Sequence, residues 1–110
     1  VSKPVTITFN DRIGHWDDAD QQPDGGRKVA DSKPGEACWM KNLEGKPSVL
    51  AFSCPCGCQE IVHVPLAINH GGQGWEWNGS EDKPTTRPSI LRTTGCRWHG
   101  YLTDGIFTSC

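Results

Sequence analysis

Cys54-Pro55-Cys56-Gly57-Cys58 places three thiols within five residues, and Cys96-Arg97-Trp98-His99 adds a thiol and an imidazole at C-x-x-H spacing. Soft thiolates and a borderline imidazole in such a set can fill the tetrahedral shell of a zinc ion. Crowded thiolates repel one another unless a cation neutralises them, and each needs a short turn to converge without strain. Pro55 and Gly57 meet that need, proline by fixing one backbone angle and glycine by permitting a sharp turn. Cys54, Cys56, Cys58, Cys96 and His99 compete for the four positions of a tetrahedral site. Cys54 is in phase with Leu50 and Phe52 along the preceding strand, which directs it to the core as a structural thiol. The preferred ligand set is therefore Cys56, Cys58, Cys96 and His99.

Zinc is the expected cofactor. Three thiolates and an imidazole also suit a [2Fe–2S] cluster of Rieske-like type, although a Rieske loop carries C-x-H where this first loop has Cys. A surplus of soft ligands points to a filled, structural site. A zinc-dependent hydrolase would instead need an open metal position and a base such as Glu60, His63 or Asp104. His63 lies in an apolar strand and reads as a satisfied core histidine. No G-x-S-x-G, H-E-x-x-H or phosphate-loop motif is present. The sequence therefore assigns no catalytic residue and favours a non-enzymatic module that binds another protein. Five tryptophans exceed what a core of this length needs. Of these, Trp75, Trp77 and Trp98, with Tyr101, are the candidate binding surface.

The elements that must position these residues read as short strands. Val5-Thr-Ile-Thr-Phe9 alternates strictly, as a strand with one buried face does. Residues 37–41 form a short strand. Residues 48–53 and 60–66 form a hairpin whose tip is the Cys54–Cys58 turn. Trp75-Glu76-Trp77 ends at the turn signal Asn78-Gly79. Residues 89–92 lead to Cys96, and residues 98–102 and 106–108 flank a turn at Asp104-Gly105. No long helical period occurs, so the expected class is all-β, with roughly six to eight short strands.

The chain has 110 residues, 13 Gly, 8 Pro and only 35% hydrophobic residues, which implies one loop-rich domain. Its expected organisation is a polar loop over 10–36 and a metal-binding core over 48–110. The acidic residues Asp17, Asp18, Asp20 and Asp24 in that loop lack the glycine and closing glutamate of a calcium loop. A net charge of −2 supplies no basic field, so nucleic-acid binding is not expected. No apolar run is long enough to span a bilayer, and Val1-Ser2-Lys3-Pro4 lacks the apolar region of a signal peptide. Clustered rather than dispersed cysteines argue against a disulfide framework and for a reducing, cytoplasmic setting. In so small a core the metal contributes most, so its removal is expected to unfold residues 48–110, with Cys38 and Cys110 mattering far less.

Phe52-Ser53-Cys54-Pro55-Cys56-Gly57-Cys58, Trp75-Glu76-Trp77, Arg87-Pro88-Ser89-Ile90 and Cys96-Arg97-Trp98-His99-Gly100-Tyr101-Leu102-Thr103-Asp104-Gly105-Ile106-Phe107 together carry a family resemblance. On these segments, within residues 52–107, the chain resembles the bacterial and phage family called domain of unknown function 6527. The resemblance implies a small zinc-binding β protein of phage or bacterial origin. With the tryptophan surplus, that origin makes a phage or host protein the expected partner, and the resemblance implies for a few members a place beside ubiquitin-like conjugation components. It implies no reaction.

Overall fold

Two hairpins with cysteine or glycine turns set the frame. The computed structural model describes residues 4–10, 20–21, 27–28, 32–69, 71–72, 74–91 and 97–109. Its strands are β1 (Val5–Thr6), β2 (Thr8–Phe9), β3 (Asp20–Gln21), β4 (Arg27–Lys28), β5 (Glu36–Lys41), β6 (Pro47–Ser53), β7 (Ile61–Pro65), β8 (Glu76–Trp77), β9 (Thr86–Leu91), β10 (His99–Thr103) and β11 (Ile106–Ser109), with one 3₁₀ turn at Ala67–Asn69. The class is all-β, as the alternation predicts. Strands β1-β11-β10-β9-β8 form one sheet, β2-β5-β6-β7 a second, and β3-β4 a ribbon. Among the described residues no helix is long and apolar enough to cross a membrane. Most of the expected 10–36 loop, including His15 and Trp16, and also His70, Cys96 and Cys110, lie outside the described residues.

The β6–β7 hairpin follows the sequence reading closely. Leu50 opposes Val64 and Phe52 opposes Val62, so one face of the hairpin is a continuous apolar surface. Ile90, Leu102 and Phe107 of the other sheet close onto that surface, and the layers share one core. Phe52 and Phe107 lie 4.5 Å apart between ring centroids, and Trp98 meets both rings edge-on at 6.2 and 6.1 Å. Offset and edge-to-face contacts of this kind add to the area that aromatics bury.

The β10–β11 hairpin closes through Asp104 and Gly105 at φ 50° and 73°, the backbone that a two-residue type I′ turn needs. Residues 5–9 differ from the expectation of one strand. Thr6 pairs with Ile106 of one sheet, while Thr8 runs parallel to Glu36 of the other. Buried Ile7 is the crossing point, and its N–H donates to the Gly105 carbonyl at 2.7 Å. Alternation shows that such a segment is extended but not which sheet each half joins.

Gly100 is required by packing. A Cβ there would overlap the Thr108 carbonyl oxygen and lie 2.5 Å from Trp98 Cζ2. Gly100→Ala is expected to cost about 1–3 kcal/mol, as overpacking does. The check is a lower urea midpoint at unchanged denaturant slope.

Candidate functional site

The connection from β6 to β7 carries the three clustered thiols. The Cys54 N–H donates to the Glu60 carbonyl at 2.9 Å, and the Gly57 N–H to the Cys54 carbonyl at 3.0 Å, which tightens the turn. Gly57 adopts φ 92°, a conformation that L side chains resist. The sulfurs of Cys54, Cys56 and Cys58 all lie within 4.8 Å of one another, and Cys54 Sγ is 3.3 Å from Cys56 Sγ. Zinc–sulfur bonds of about 2.3 Å in a tetrahedron put sulfurs about 3.8 Å apart, so the spacing and the donor chemistry fit a metal ion. Cys54 is fully buried, as its phase with Leu50 and Phe52 predicts, and its sulfur nevertheless belongs to the group. Burial and ligation are compatible here because the turn begins where the core ends: Cys58 is half-buried and Cys56 exposed.

His99 is placed elsewhere. Along β10 exposure alternates, with Gly100 and Leu102 inward and His99, Tyr101 and Thr103 outward. Trp98 precedes this run and is core. His99 therefore faces away from the core that holds Cys54, and it meets Ser89: its Nε2 lies 3.0 Å from Ser89 Oγ. Cys96, the remaining expected ligand, lies outside the described residues.

The sheet register brings Ser89 to that position. Thr86 pairs with Leu102 and Ile90 with Gly100, so a step of four residues on β9 faces a step of two on β10. Arg87, Pro88 and Ser89 make up the bulged segment between those pairs. Bulges re-aim side chains, and they gather beside active sites. Trp75 Nε1–H donates to the Ser89 carbonyl at 3.3 Å and fixes its backbone from below. Serine with an imidazole nitrogen at this distance is the arrangement in which a hydroxyl is activated as a nucleophile. Among the described residues no carboxylate is hydrogen-bonded to His99.

Ser89 is the residue that motif reading passes over. It has no glycine-flanked elbow, and its partner comes from another strand. The signal that could have found it is the inward placement of Trp98 and Leu102, which forces His99 outward by period two.

The expected binding residues divide. Trp98 is core, and its Nε1–H donates to Ser109 Oγ at 2.9 Å. Trp75 and Trp77 are half-buried, and Trp77 packs on Trp39 at 5.2 Å between centroids. Tyr101 is exposed on the same face as His99, as is Leu91, the register partner of His99. Glu60, His63 and Asp104 are not part of the thiol group.

A family model matches residues 26–110, and its description is bacterial ubiquitination-like system serine protease (BubE). The match includes the whole of residues 52–107. No curated protein and no solved structure matches the chain.

Proposed function

The chain belongs to this BubE family, and on that premise we propose that it is a serine protease in which Ser89 is the nucleophile and His99 the general base. The observation that carries the reading is the 3.0 Å approach of His99 Nε2 to Ser89 Oγ across the β9 bulge. The family's description points to a protein substrate within a ubiquitination-like system. This departs from the non-enzymatic module that the sequence favours, because the pair is created only when β9 and β10 align.

In the proposed reaction Ser89 Oγ attacks the carbonyl carbon of the scissile bond while its proton passes to His99 Nε2. The imidazolium returns that proton to the leaving amine, the C–N bond breaks, and an acyl-serine remains. Water then attacks the ester, again giving its proton to His99, and the acid product departs as Ser89 regains its proton. Trp75 and the bulge hold Ser89 while this occurs.

Zinc is proposed as a structural ion at Cys54, Cys56 and Cys58, with Cys96 as fourth ligand. The close sulfurs support this role. Bound there, the ion supplies charge neutralisation and cross-linking, while the chemistry stays with Ser89 and His99. Colourless protein with one zinc per chain is expected, and visible absorption would replace zinc by an iron–sulfur cluster.

The test of the protease reading is covalent capture. A fluorophosphonate should add one phosphonyl group to the protein, and tandem mass spectrometry should locate it on Ser89. Labelling of another residue, or none under conditions that label a known serine protease, ends the reading.

A further inference from the structure

Resting on the assignment of Ser89 as nucleophile, we infer that the groove beside it is a substrate subsite for a carboxylate, with Arg87 as the residue that reads it. The groove has a volume of about 560 Å³ and is lined by Ala67, Gly72, Gly74, Glu76, Arg87 and Pro88. That size is in the range of small-ligand sites. Ser89 does not line the groove, but Pro88, which precedes it in the chain, does.

Among the described residues its walls carry little chemistry of their own. Ala67, Gly72, Gly74 and Pro88 offer small surfaces and backbone, which leaves room for an extended peptide. Gly74 cannot take a side chain: its φ is 116°, and a Cβ would overlap the Pro65 carbonyl. The selective groups are Arg87 and Glu76, register partners on β9 and β8. Among the described residues neither forms an ion pair.

Arg87 is the one held in place. Its Nη1 donates to the Thr86 carbonyl at 3.0 Å and to Thr103 Oγ1 at 3.2 Å. Those two bonds use both hydrogens of Nη1. The Nε–H and the hydrogens of Nη2 remain, and together they form the edge of a guanidinium that grips a carboxylate through two parallel bonds. A pre-positioned fork loses little entropy on binding. Glu76 on the facing strand opposes an anion, so the carboxylate must settle on the Arg87 side.

The carboxylate has two sources, an Asp or Glu side chain near the scissile bond or the free carboxyl end of the chain. One experiment separates them. Ser89 is labelled with a small fluorophosphonate in the presence of millimolar random tetrapeptides prepared in three forms. The first carries Asp or Glu and an amidated end, the second has a free end and no acidic residue, and the third is amidated with neither. One of the first two forms should slow labelling on the order of 10- to 100-fold more than the third, as charged hydrogen bonds of this strength imply. The form that protects names the source. In Arg87→Ala the ratio between that form and the third should fall to about one, in Arg87→Lys it should be intermediate, and in Glu76→Gln it should rise. Equal protection by all three forms, or protection by none, overturns the subsite while Ser89 labelling leaves the protease reading standing. Failure of the fluorophosphonate to label Ser89 overturns both.

Discussion

His99→Gln is expected to slow fluorophosphonate capture of Ser89 on the order of 10²- to 10⁴-fold, the contribution of a positioned general base. Ser89→Ala should abolish capture and peptide hydrolysis together. In enzymes where serine and histidine act as one unit, losing either costs nearly as much as losing both, so the double variant should be no worse than the worse single one. The same histidine substitution separates the two roles open to this residue. If His99 serves Ser89, the variant keeps the metal content of the parent and melts within a few degrees of it, because the side chain lies on the exposed face of β10. If His99 ligates a metal ion, as the C-x-x-H spacing suggests, the variant has a lower metal content and melts far lower. Melting curves and metal content, measured on the protein used for labelling, decide between them.

Removing the metal is expected to lower the melting temperature by roughly 20 °C or more. A structural zinc site of thiolates contributes about 10 kcal/mol or more of binding free energy, present only when its ligands are assembled. Whole domains are stable by about 5–15 kcal/mol. Even half of the metal term would correspond to such a shift in a chain near this length. The loss should not stay local. Cys54 belongs to the core cluster that also contains Phe52, Trp98 and Phe107, so slackening of the thiol turn reaches the indole next to His99. Chelator titration followed by near-ultraviolet circular dichroism and by fluorophosphonate labelling should show tertiary structure and capture falling together. Cys54→Ser, Cys56→Ser, Cys58→Ser and Cys96→Ser should reproduce chelation, whereas Cys38→Ser should change melting little. Mild acid should release the metal, because thiolates are the binding form. An apo protein that keeps its near-ultraviolet signal and melts with the holo protein would remove the metal from the account of this fold.

Much of this was legible from residue order. The short apolar, β-branched runs in residues 48–53 and 60–66, with Pro55 and Gly57 between, specify a hairpin that gathers three thiols at its tip, since strand composition and turn chemistry are local properties. Asp104-Gly105 likewise specifies its own turn. The phase of Cys54 with Leu50 and Phe52 was equally readable, but not that a buried sulfur would still lie beside Cys56 and Cys58, because this depends on how the turn folds back. Residues 5–9 are plainly extended, yet the transfer from one sheet to the other at Ile7 depends on hydrogen bonds to Gly105 on one side and to Gly35, through Thr8, on the other. The Ser89–His99 pair belongs wholly to the tertiary level. Neither residue sits in a serine-protease motif, and their meeting requires β9 to bulge between Thr86 and Ile90 while Trp98 takes the inward position on the neighbouring strand. The sequence by itself determined the β6–β7 and β10–β11 hairpins, their turns and the thiol cluster, since each is set by neighbours along the chain. Only the folded protein decided which face His99 presents and which serine it meets, because cross-strand register is fixed by the packing of both sheets at once.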